Sequence, residues 1–275
     1  MNTDKTTTTV SALPEKAPAD WLRDLETRIA NKPVEAKSAL LKFGRGNAKL
    51  DKEIATFSLP AGYSCPGASA CLARADRASG KITDGPLSQF RCFAATAESA
   101  YRNVRESRWH NFELLKGKTR DEMSSLILAS LPDNQIIRIH VSGDFFNESY
   151  FGAWIDVAHA RPGTKFYAYT KSIPMWKALA SSIPANLILT ASEGGKYDAQ
   201  IGAFKTAKVV FSEEQAAALG LDIDHDDSHA YDGQESFALL LHGTQAKGYG
   251  CGQSAHGATA FKHWRLLAIE RESGS

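Results

Sequence analysis

Residues 136–176 read IIRIHVSGDFFNESYFGAWIDVAHARPGTKFYAYTKSIPMW, and the hydrophobic period switches repeatedly along them. Ile136 to Ser142 is short and rich in β-branched residues, as a buried strand is. Glu148 to Ala160 sets Tyr150, Phe151, Trp154, Ile155 and Ala158 at helical spacing, and Pro162 and Gly163 stop that helix. Phe166 to Thr170 is the next strand, and a helix from Pro174 to Ser181 has its proline in the first turn. Strands that alternate with helices predict a parallel sheet, since parallel neighbours need a crossover between them.

The same rhythm extends outward. Glu53–Leu59 predicts an earlier strand, and Leu187–Thr190, Val209–Ser212 and Phe237–His242 predict three later ones, with a helix at Glu213–Leu219. Ser88–Leu115 reads as one long helix broken near Arg108 to Asn111, and Trp21–Lys32 as an amphipathic helix ahead of the basic stretch KSALLKFGRGNAKLDK. Six strands in this order predict an α/β fold, a partial (β/α)6-type barrel of mostly parallel strands behind an N-terminal helical and basic extension, with an open doubly wound sheet as the alternative. Residues 1–20 are expected to be a disordered lead-in, 21–265 a single domain and 266–275 a flexible tail.

Composition narrows the function classes. The chain has 275 residues, 43% of them hydrophobic, and 32 basic against 31 acidic side chains give a net charge of +1. A folded core is affordable, while nothing global draws the chain to nucleic acid or membrane. No signal-peptide core and no apolar run of spanning length is present, so a cytoplasmic protein is expected. In a reducing compartment the four cysteines then imply metal, redox chemistry or packing rather than a disulfide framework.

In parallel α/β folds the site lies at the carboxyl ends of the strands. Those ends are polar throughout: His140, Ser142, Gly143 and Asp144; Tyr169, Thr170 and Lys171; Thr190, Ser192 and Glu193; Ser212 and Glu213; His242 and Thr244. The first strand runs straight into GYSCPGASACLARADRASGKITDGPLSQFRCF, a glycine- and proline-rich loop within residues 62–96 that carries Cys65, Cys71 and Cys92, with Cys251 far downstream. Converging thiolates suit an iron–sulfur cluster or zinc, and the small residues Gly67 to Ala70 leave backbone amides near bridging sulfides. Cysteines that merely pack are the third reading.

Two further patches have bland and sharp readings. Arg102, Arg105 and Arg108 recur every third residue and, with Lys42, Arg45 and Lys49, could contact phosphates of a nucleic acid; a solvated helix face is the plainer expectation. LDIDHDDSHAYDG, residues 221–233, lacks calcium-loop spacing and is expected to be a solvated acidic loop.

The runs LLKFGRGNAKLDKEIATFSLPAGYSCPGASAC, RIHVSGDFFNESYFGAWIDVA and FYAYTKSIPMW, in that order, resemble the gene-product-88-like family of phages and plasmids, which brings no activity with it. More distantly, the layout is similar to radical S-adenosylmethionine enzymes, although the gaps between cysteines are wider here. That resemblance implies a four-iron cluster on Cys65, Cys71 and Cys92, S-adenosylmethionine bound at its open iron, and Ser142-Gly143-Asp144 as the cofactor turn, with Thr170 and Ser192 alongside. It leaves His140, Asp144, Lys171, Glu193 and His242 as candidate acids, bases or contacts. The competing expectation is a phage- or plasmid-type nucleic-acid-associated protein in which the metal is structural.

Overall fold

In the computed structural model the described residues are Thr27, 39–46, 50–242 and 245. Contacts divide the chain into Met1–Ser38 and Ala39–Ser275, and the fold below belongs to the second unit. The predicted helix at 21–32 (Thr27 alone is described, in helix), the lead-in, the tail, Lys49, Thr244 and Cys251 lie outside the described residues.

Seven strands form one sheet: β1 (Gly44–Arg45), β2 (Ile54–Ser58), β5 (Ile136–Ser142), β6 (Lys165–Thr170), β7 (Leu187–Ser192), β8 (Thr206–Val210) and β9 (Phe237–Leu240), in that order. β1 pairs antiparallel with β2; every other pairing is parallel. Because chain order and sheet order coincide, crossovers of one hand place the connecting helices on one face, except that residues 228–231 of the β8–β9 connection pack on the other. A separate antiparallel hairpin, β3 (Ala73–Ala75) with β4 (Ile82–Asp84), lies within the cysteine loop. Among the described residues no pairing joins β9 to β1.

Both faces of the sheet are buried. On one, Phe57, Ile137, Ile139, Phe166, Ala168 and Leu189 pack against Tyr150, Phe151, Trp154 and Ile155 of the helix α4 (Glu148–Ala160) and against Met123 and Ile127 of α3 (Arg120–Ser130). Asn147 caps α4 by accepting from the Tyr150 amide, and the buried aromatic stripe downstream makes this helix the main cover of the core. The opposite face gathers Leu50, Ile54, Tyr167, Ala207 and Phe237 under Ala230 and Tyr231 of the short helix α7 (Ser228–Tyr231).

The long predicted helix at 88–115 is two, α1 (Phe93–Ala100) and α2 (Arg102–Leu115), broken at the extended Tyr101 rather than near Arg108. The remaining helices are α5 (Ile173–Leu179), where Pro174 sits at the start as expected, and α6 (Glu213–Ala218). Among the described residues no helix is long and apolar enough to cross a membrane.

Two readings of charged segments are corrected. Residues 221–233 are only in part a solvated acidic loop: Asp222, Asp226 and Asp232 are exposed, but Asp227 is 1% exposed and pairs with Arg138 of β5 at 2.5 Å, while Tyr167 donates to the same carboxylate at 3.0 Å. Tyr169 donates to Asp224 at 3.3 Å, and the Arg138 guanidinium stacks 5.0 Å from the Tyr169 ring. Nor do Arg102, Arg105 and Arg108 form one solvated face. Arg105 and Arg108 are buried, binding the Arg77 carbonyl and the Glu98 side chain respectively, and only Arg102 faces solvent, beside Glu106. Lys42 and Arg45 are exposed.

Candidate functional site

The segment from Gly62 to Phe93 crosses the carboxyl ends of the parallel strands in their order in the sheet. At β2 and β5, the Leu59 amide donates to the Ser142 carbonyl at 2.8 Å, and Gly143 lies so close to Ser64 that a Cβ there would stand 2.6 Å from its Oγ. With φ at +90°, Gly143 is held in a conformation that suits glycine alone. At β6 the backbone of Gly67 abuts Lys171, and at β7 the Ala70 amide donates to Gly194 while the Lys196 amide donates to Gly67, both at 2.9 Å. Phe90 then meets Phe211 after β8, edge to face at 6.4 Å. Arg91 donates to Gln245 at 2.8 Å and the Phe93 ring lies 4.8 Å from His242, both beyond β9.

This strap brings Cys65, Cys71 and Cys92 within electrostatic reach of one another. Burial pushes the Cys65 thiol well up, and Asp144, Cys92 and Cys71 add to the rise. Burial and then Cys71 push Cys92 up to about 11, against the pull of the Ala95 and Ala94 amides at the start of α1 and of Arg108. Among the described residues no three His, Cys, Asp or Glu side chains already stand at metal-binding separation. The thiols are therefore clustered without being drawn to a common point.

Around them the strand-end residues form one network. Asp144 Oδ1 accepts from Thr170 Oγ1 at 2.6 Å and from the Phe145 amide at 2.7 Å; its Oδ2 accepts from the Lys171 amide at 2.8 Å. Burial raises Asp144 to about 6 even though those donors pull the other way. Lys171 turns its ammonium to Ser192 Oγ at 2.8 Å, the Ser192 carbonyl at 3.0 Å and the Glu193 carbonyl. The Glu193 carboxylate pairs with Lys208 at 2.7 Å. Asp144, Thr170, Lys171, Ser192 and Glu193 thus lie in one network, and His242 lies beside Phe93 at the far end of the strap.

His140 does not join them. It sits at φ +65° in an irregularity where three residues of β2, Thr56 to Ser58, lie opposite five of β5, Arg138 to Ser142. The bulge breaks the alternation that would set Arg138, His140 and Ser142 on one face. The ring is instead buried against Phe145, with Nε2 2.9 Å from the Tyr150 hydroxyl. Burial lowers its pKa to about 3, so it is neutral and a poor general acid or base near neutral pH.

Glu98 was missed by sequence reasoning. It is fully buried, and its Oε1 accepts from the Ala61 amide and Arg108 at 2.8 Å and from Ser142 Oγ at 3.2 Å, tying β2, β5 and α2 behind the cysteines. The one signal was an acid inside the small-residue helix FAATAESA.

Fold and strap together define a class: an α/β protein whose mostly parallel sheet is capped at its carboxyl edge by a thiol-bearing loop. The chain belongs to the Gene product 88 family, whose pattern matches residues 38–262. It is similar to the Gene 88 proteins of Mycobacterium phage L5 and Mycobacterium phage D29, at 28% identity over 120 residues in each case. The matched region is 40% of this chain and 44% and 43% of those proteins, so the chain spans less than half their length. No solved structure matches.

Proposed function

We propose that the strap holds a thiolate-bound metal centre, with Cys65, Cys71 and Cys92 as ligands and an iron–sulfur cluster as the bound group. The observation that carries the reading is the gathering of three half-buried thiols at the mouth of the sheet, close enough that Cys71 helps burial to raise both Cys65 and Cys92. Without a metal Cys65 and Cys92 keep their protons; a bound cation replaces those protons and turns the same crowding into coordination. The donor set is soft, as iron–sulfur sites and zinc require. The amides at the start of α1 favour an anionic sulfur at Cys92.

The six parallel strands in chain order are consistent with a partial barrel, whose mouth the strap would cover. Such a cluster, when bound, supplies an electron and an iron site for a small ligand, S-adenosylmethionine being the one that the layout suggests. This chain's own part is to hold the sulfurs, to fix the strap on Gly143 and Lys171, and to keep Asp144 poised beside Cys65.

Anoxic incubation of the full chain with ferrous iron and sulfide, followed by iron and labile-sulfide assay, tests the reading. A brown protein is expected, and Cys65→Ser, Cys71→Ser and Cys92→Ser should each strip most of the iron. Cys251→Ser then decides whether the fourth cysteine is a ligand. A chain that stays colourless with every thiol open to a thiol reagent overturns the metal centre; uptake of zinc alone overturns the cluster.

A further inference from the structure

We infer that a small oxyanion or carboxylate binds beside Cys65, gripped by Arg74 and Lys196. A cavity of about 150 Å³ opens there, with Tyr63, Cys65, Arg74, Phe146 and Lys196 in its walls. Those walls come from the strap, its strand β3 included, and from the turns after β5 and β7. Among the described residues no acidic side chain lines the cavity.

Its two cations are held in place by carbonyls rather than neutralised. Arg74 Nε donates to the Gly62 carbonyl at 3.0 Å, with its guanidinium 5.3 Å from the Tyr63 ring centre. Lys196 Nζ donates to the Pro66 carbonyl at 2.8 Å. Among the described residues neither pairs with a carboxylate, whereas nearby Arg91, Arg108 and Lys208 pair with Asp84, Glu98 and Glu193. Two charges without carboxylate partners at one opening raise the local concentration of anions. The volume holds several waters, so a phosphate-sized group or short organic acid fits whole, while a nucleotide would have to project into solvent. The tyrosine and phenylalanine walls suit an apolar stem behind the acid group.

The inference rests on the proposed metal centre for its chemistry, since it names the substrate class acted on there; the binding itself needs only the cavity. Calorimetric titration of the full chain with inorganic phosphate and with malonate tests it. Saturable binding of at least one probe is expected, weakened tenfold or more in Arg74→Gln and in Lys196→Gln and weakened by added salt. Iron uptake, measured on the same variants, should match the parent, and Cys65→Ser should lose iron yet keep the anion. Absence of saturable binding, or affinity unchanged in both variants, overturns the anion site even if iron loads. Failure to load iron with anion binding intact removes the metal centre and leaves the anion site standing.

Discussion

At the scale of single residues, His140 and Glu98 show how one buried side chain sets a measurable response. His140 titrates near 6.5 in an unfolded chain and near 3 in the fold because burial penalises the charged ring. The native state therefore binds fewer protons, so this contribution to stability is present above about pH 6.5 and is lost as pH falls toward 3. By about 1.36 kcal/mol per pKa unit it amounts to a ceiling on the order of 5 kcal/mol. Urea midpoints taken at pH 7 and pH 4.5 should fall steeply for the parent and less for His140→Asn, a residue that tolerates the left-handed backbone. Equal slopes in the two proteins would show that other groups govern acid unfolding. Glu98→Ala leaves Arg108, 8% exposed, buried beside no carboxylate, and should cost about 3–5 kcal/mol in urea unfolding at pH 7. Glu98→Gln keeps the acceptor for Ala61 and should cost less.

At the scale of elements, α3 illustrates a local signal and the reason it was passed over. Thr119 accepts from the Glu122 amide at 3.4 Å and the Glu122 carboxylate accepts from the Thr119 amide at 2.9 Å, a closed capping box. Thr119→Ala should lower stability by about 1 kcal/mol without altering the sheet, read as a shifted urea midpoint with an unchanged slope. The sequence T-x-x-E is plain, yet the helix face hides its period, because Ser124 is buried and donates to Asp156 at 3.0 Å where an apolar residue is expected. β5 and α4 were legible to the residue because their apolar positions carry the whole pattern. β8 was placed a few residues late because Lys208, which leaves the strand to pair with Glu193, interrupts the apolar run. The site divides in the same way. Strand-end polar residues were visible from the alternation alone, whereas the burial of Asp224 and Asp227 depends on Arg138, Tyr167 and Tyr169, which are distant in sequence. Local pattern cannot report a partner of that kind, nor the bulge that turns His140 away from the mouth.

At the scale of the whole molecule, the strap and the sheet are two layers of different robustness. The sheet is buried on both faces, whereas the strap meets it only at strand ends, through a few backbone hydrogen bonds, glycine contacts and the Phe90–Phe211 and Phe93–His242 ring contacts. Gly67 is the tightest of those contacts: a Cβ there would lie 2.3 Å from the Lys171 carbonyl oxygen, which is backbone and cannot swing aside. Gly67→Ala should therefore lift the strap, costing about 1–3 kcal/mol by overpacking. Hydrogen exchange should localise the loss. The Ala70 and Lys196 amides, which donate across the strap–sheet junction, should exchange faster, while the amides between β5 and β6 keep their protection. If the thiols grip a metal, iron and sulfide added to the parent should slow the same junction amides, since a group bound only by the closed strap stabilises that state by mass action. Uniform acceleration across strap and sheet in Gly67→Ala would instead make them one cooperative unit, with the mouth no easier to open than the core.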